Sequence, residues 1–128
     1  MLWHQGEQDQ GDEGPDFDYN YKIYQDYFVA MSGAWKENYP NIKFYYIYQI
    51  WPAACGSMFP GTDDMLREKQ RTLPYLYSNM RIMSTLGTIP GSGCHFDIEG
   101  YTYFANQMSR LVEQDNYGYS RSSSMKTE

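Results

Sequence analysis

From Asn20 to Asn38, apolar and aromatic residues recur at helical spacing. Tyr24, Tyr27, Phe28, Met31, Ala34 and Trp35 share one face, with Lys22, Gln25, Asp26 and Lys36 off it. Asn38-Tyr39-Pro40-Asn41 stops that helix, because proline cannot continue the hydrogen-bond ladder. The pattern then changes. Ile42 to Trp51 (IKFYYIYQIW) is a nearly unbroken run of β-branched and aromatic residues, as in a strand buried on both faces. Pro52 and Gly56 open a loop, and Thr62, Asp63 and Asp64 offer capping side chains ahead of a helix over MLREKQRTL that Pro74 ends. Arg81 to Leu86 reads as another strand and TIPGSGCHFD as a loop. The last helix begins near Asp97, with Ile98, Tyr101, Phe104, Ala105, Met108, Leu111 and Val112 on its apolar face. Ahead of all this, Leu2 to Gln5 reads as the end of a buried strand, followed by a loop of Gly6, Gly11, Gly14 and Pro15 among acids.

Strands alternating with helices predict parallel βαβ units in a three-layer α/β/α fold. In such sheets ligands bind beyond the carboxyl ends of the strands. The loops leaving those ends carry Gln5-Gly6-Glu7, Pro52 to Gly61, and Ser92 to Asp97. Glu7 and His95 are therefore expected to be neighbours in space. His95 follows glycines that allow close backbone approach and precedes a helix that fixes it, a suitable place for a general base near neutral pH. His4, inside the presumed strand end, is expected to be a packed or hydrogen-bonded core residue.

The chain has 128 residues, enough for one domain with a real core. A net charge of −6 with scattered Lys and Arg argues against nucleic acid as a partner. The 14 Tyr, 6 Phe and 3 Trp supply most of the core, and some of them suit a sugar site. No stretch approaches the roughly 18 apolar residues of a membrane span. No basic-then-apolar leader is present in these residues. Ser120-Arg121-Ser122-Ser123-Ser124 marks residues 117–128 as a disordered tail or the start of a further segment, leaving 1–116 as the domain.

LWHQGEQD, followed much later by GCHFDIEGYTYFA, resembles the carboxyl-terminal half of an SGNH-type esterase, of the sialate O-acetylesterase and acetylxylan esterase group. In that group a W-x-Q-G-E segment forms one motif, and a loop His followed by Gly-Tyr in a helix forms the last. FYYIYQIWP and LREKQRTLPYLYSNMRIMSTLG are also similar, so the likeness spans about Leu2 to Asn116. It implies a flavodoxin-like fold truncated at its amino-terminal side, with Met1 internal to a longer domain. The nucleophilic Ser and an oxyanion-hole Gly belong upstream of Gln5. The resemblance implies hydrolysis of an acetyl ester on a carbohydrate, without metal or cofactor, in which His95 takes the proton from the Ser and returns it to the leaving alcohol. Gln5 and Gly6 would serve the oxyanion. Glu7 would either bond His95 or brace the Ser loop, and Trp3, Trp51 and Phe96 would shape a sugar-acyl pocket. The chain departs from the pattern at Ser92, where many members carry the Asp that orients the imidazole. Without a positioned nucleophile, the alternative is a non-catalytic piece that needs an upstream partner.

Two further features bear on chemistry. Asp9, Asp12, Glu13, Asp16 and Asp18 lack the order of a calcium loop and read as a solvated acidic loop. Cys55 and Cys94 lie in loops leaving strands that one helix connects, so a disulfide between them is as expected as two free thiols. A bridge would argue for an oxidising compartment, periplasmic or secreted, for the full-length protein.

Overall fold

The structure, a computed structural model, describes residues 1–10, 21–52, 63–86 and 95–118. Three strands, β1 (Leu2–His4), β2 (Tyr45–Tyr48) and β3 (Met80–Met83), form a parallel sheet in the order β1-β2-β3. Three helices complete it: α1 (Tyr24–Asn38), α2 (Asp63–Thr72) and α3 (Ile98–Tyr117). The expected α/β class and the alternation of strand and helix both hold.

The central strand explains its own sequence. All four residues of β2 are buried, because β1 and β3 flank it and helices cover both faces. Tyr45 and Ile47 point to one face, where they pack with Tyr24 and Phe28 of α1, Leu66 of α2, Leu73 and Met80. Tyr46 and Tyr48 point to the other, where they meet Phe96 and the α3 residues Phe104 and Met108. The registers Trp3↔Ile47↔Ile82 and His4↔Tyr48↔Met83 carry this alternation across the sheet. Strand pairing is shorter than the apolar runs Ile42–Trp51 and Arg81–Leu86 suggest, but burial continues past it, through Gln49, Ile50 and Thr85.

The helix ends follow local rules. Asp97 caps α3 by accepting a 2.8 Å hydrogen bond from the Gly100 amide, and Gly118 ends it in the left-handed conformation, φ 70°. α1 stops as expected, at Asn38 before Pro40, with the Tyr39 amide donating to the Trp35 carbonyl at 2.7 Å. The buried faces are narrower than expected. In α1 they comprise Tyr24, Phe28 and Ser32; in α3, Gly100, Phe104 and Met108. Each set is a line at i, i+4, because a helix lying on a three-stranded sheet touches it along one ridge. Tyr27 and Ala34 of α1 are therefore exposed, as are Ile98, Tyr101 and Ala105 of α3. Ser32 is accommodated through its 2.8 Å hydrogen bond to the Tyr77 hydroxyl.

Candidate functional site at the carboxyl ends of the strands

The chain leaves β1 at His4 and turns at Gly6 into a short 3-10 turn, Glu7–Gln10. Gly6 has φ +139°, a conformation that side chains rarely adopt, and a Cβ there would lie 3.0 Å from Gln70 Nε2, 3.1 Å from Ile50 Cγ2 and 3.1 Å from Leu66 Cδ2. Its glycine identity is thus required by α2 and the β2 exit packing against the turn. Gln70, fully buried on α2, donates to the Gln5 carbonyl at 2.9 Å and to the Tyr24 hydroxyl at 3.2 Å, and its Oε1 accepts from the Ile50 amide at 2.9 Å. One side chain therefore joins the exits of β1 and β2. Tyr24 also donates to the Gln5 carbonyl, and burial pushes its phenol up to about 12. Next to Gln70, the buried Arg67 donates to the Ile50 carbonyl and, at 3.2 Å, to the Thr85 hydroxyl, which ties the β3 exit to the same cluster.

The Gln5 amide is turned onto Asp9, donating to its Oδ2 at 2.5 Å. Asp9 is half-buried, and the loss of solvation raises its carboxyl above the ordinary value, against the lowering effect of that hydrogen bond. Glu7 faces His4 instead: Oε1 lies 3.6 Å from His4 Nε2, with side-chain exposures of 14% and 18%. His4 packs among rings, with centroids 5.8 Å from Tyr48, 5.8 Å from Phe104 and 6.0 Å from Phe96. Among the described residues its Nε2 is buried without a hydrogen bond. Desolvation lowers its pKa, the Glu7 carboxylate works against that, and the charge of His95 lowers it further. His95 itself is exposed, held by Phe96, whose buried ring meets Phe104 at 4.3 Å and Trp51 at 5.8 Å. Beside His4, an apolar cavity of about 140 Å³ is lined by Tyr48, Tyr101, Phe104 and Ala105.

The sheet thus gathers Glu7, His4 and His95 at one end, with Trp51 and Phe96 alongside. It separates Trp3 from them. Trp3 lies on the opposite face, edge-on to Trp35 at 5.0 Å, where with Gln5, Asp9, Tyr27 and Met31 it lines a cleft of about 330 Å³. Alternation along β1 sends adjacent residues to opposite faces, so Trp3 and His4 do not line one pocket. His4, expected as a core residue, is packed among rings but also faces a carboxylate. Its spacing of three residues from Glu7 was the available sequence signal. Gln70 and Asp9 had none, since their roles depend on contacts between distant segments.

An exposed imidazole at the strand end where a second imidazole faces a carboxylate is a suitable arrangement for proton transfer. Among the described residues, no group of three or more His, Cys, Asp or Glu is arranged to hold a metal ion, and no helix is long and apolar enough to cross a membrane. Ser92, the pair Cys55 and Cys94, the Pro52-to-Gly61 loop beyond Pro52, and Asp12, Glu13, Asp16 and Asp18 lie outside the described residues. Comparison of the chain with family models, with curated proteins and with solved structures finds no match.

Proposed function

We propose that the chain is the carboxyl-terminal, base-bearing part of an SGNH-type esterase that removes acetyl groups from carbohydrate, with the flavodoxin-like three-layer fold of that group. The observation that carries this reading is the meeting of two distant motifs. Phe96, the residue after His95, packs its ring 6.0 Å from that of His4, and Glu7 faces the same imidazole at 3.6 Å. In this reading His95 is the general base, Glu7 a carboxylate of the same strand-end cluster that faces His4, and Trp51 and Phe96 one wall of the sugar-acyl pocket. The nucleophilic Ser comes from outside these 128 residues. The chemistry is acyl transfer to that Ser and then to water, with no cofactor required.

Translation of the DNA ahead of Met1, followed by assay of the extended protein, tests it. The expected result is an in-frame Gly-Gln-Ser or Gly-Asp-Ser after a hydrophobic strand, and acetate release from acetylated xylan or an O-acetyl sialoside that His95→Ala abolishes. The 128-residue chain alone should hydrolyse p-nitrophenyl acetate no faster than free imidazole. Fast turnover by that chain, or an extended protein indifferent to His95→Ala, would refute the assignment.

A second reading, a non-catalytic piece, draws support from Gln5. Its amide is bonded to Asp9 and its carbonyl to Gln70 and Tyr24, a structural use of the residue assigned to the oxyanion. An extended protein that binds acetylated xylan but releases no acetate would favour it.

A further inference from the structure

His4 is a half-buried titratable group that the proposed chemistry does not use. Its surroundings are unlike those of an ordinary core histidine. A packed neutral imidazole normally satisfies its buried ring nitrogens by hydrogen bonds. Here, among the described residues, Nε2 has none, and a polar group facing it is the Glu7 carboxylate at 3.6 Å, beyond hydrogen-bond reach but within reach of a charge pair. The rings of Tyr48, Phe96 and Phe104 surround it and lower the local dielectric, which strengthens the action of any nearby charge. Among the described residues, the titratable groups around it are Glu7 on the turn after β1, His95 ahead of α3, Tyr48 on β2, and Tyr101 of α3, which lines the same small cavity. Burial raises the Tyr48 phenol, so this group stays neutral across the working range. The charges that count are therefore those of Glu7 and His95.

We propose that His4 is a positioning residue of this site, an imidazole whose protonation state sets where the Glu7 carboxylate lies. When His4 is neutral, Glu7 is held only loosely and is available to His95. When His4 gains a proton, it draws Glu7 onto itself and away from His95. The role of Glu7 and His95 in catalysis rests on the esterase reading above; the pairing of His4 with Glu7 does not.

The test is a histidine NMR titration of the 128-residue chain, with the amide spectrum used to verify that each variant is folded. Wild-type His4 is expected to titrate below 6.5. Glu7→Gln should move His4 down by about one pH unit, the effect of removing an opposite charge at that distance. His95→Asn should move it up. A His4 titration that ignores both substitutions would overturn the proposal and leave His4 as packing alone. In the extended protein, His4→Gln should change the shape of the acidic limb of the activity profile, because no imidazolium then forms there to draw Glu7 away as pH falls. A variant that loses activity evenly at all pH values has lost only packing, which also counts against the proposal. If the extended protein shows no esterase activity, the functional reading fails, while the titration still decides the pairing.

Discussion

On the α1–α2 face of the sheet, both polar ends of Gln70 are occupied by backbone from two strand exits and by Tyr24. On the α3 face, the interior is made of rings, and the polar atom enclosed by them, His4 Nε2, has no hydrogen bond among the described residues. Around Gln70 the first face holds a satisfied polar network, the kind that fixes one backbone geometry, while Trp3 Nε1 on the same face is buried with no hydrogen bond among the described residues. The second leaves a titratable group under-coordinated beside a carboxylate, the kind of environment found where protons are moved. The two faces serve different ends. One holds the loops after β1 and β2 in register, and the other puts a proton-responsive group where those loops meet.

The largest effect expected from either face comes from Phe104→Ala. Removing the ring that touches Phe96, Tyr48 and His4 should cost about 3–5 kcal/mol in urea unfolding. It should also let the His4 titration rise toward its ordinary value, as burial is the main cause of its depression. Gly6→Ala attacks the opposite face. The positive φ and the three close contacts predict a loss of at least about 1–3 kcal/mol, read as a lowered urea midpoint at unchanged slope. Gln70→Leu fits the volume but strands the Ile50 amide and leaves the Gln5 carbonyl with the Tyr24 hydroxyl as its remaining donor. About 1–3 kcal/mol is expected, and a neutral result would show that the amide network contributes little.

Acid should distinguish the faces by sign. Unfolded His4 binds protons near 6.5 and folded His4 only at lower pH. Stability is therefore lost as pH falls from 6.5 through the folded value, and His4→Gln should flatten that limb. Asp9, beside the Trp3 cleft, is raised above 3.8 by burial. Its unfavourable contribution is full above the folded value and relieved as pH falls toward 3.8, so Asp9→Asn should remove an opposite slope. A melt series from about pH 7 to about pH 3.5 resolves both. The smallest effect belongs to Glu68→Ala. Glu68 pairs with Arg71 at 2.6 Å on the exposed side of α2, and its loss should leave the melting temperature unchanged.

Much of the framework is legible in the sequence because it rests on local periodicity. The run from Ile42 to Trp51 announces a doubly buried strand, and Asp97 and Asn38-Tyr39-Pro40 mark helix ends where the structure has them. Helix faces are legible only along their centre. Phe28 and Phe104 are buried, whereas Tyr27 at 56% exposure and Ile98 at 85% show that an apolar residue one step off the ridge meets solvent. The site is legible as a place, through the rule that loops at the carboxyl ends of parallel strands converge. Its internal pairing is not. That Gln5 faces Asp9 and Glu7 faces His4 depends on the direction in which Gly6 turns the chain. Motif proximity alone puts Trp3 in the pocket of Trp51 and Phe96, and strand alternation overrules it by sending Trp3 to the other side of β1.

The strand order has a consequence for how the chain is made. Because β1, β2 and β3 lie side by side in the order in which they occur along the chain, no strand has to be inserted between two that have already paired. A chain emerging from the ribosome can add each strand to the growing edge of the sheet, with α1 and α2 covering one side as they appear. Each parallel pairing still waits for a long crossover to be synthesised, which slows it relative to a hairpin. The ring-lined side stays open until α3, last of the described elements, is released, and His95 is delivered with it. During that interval Tyr46, Tyr48 and His4 face solvent or a chaperone, so the nascent chain is most prone to association just before the end that carries His4 and His95 is assembled.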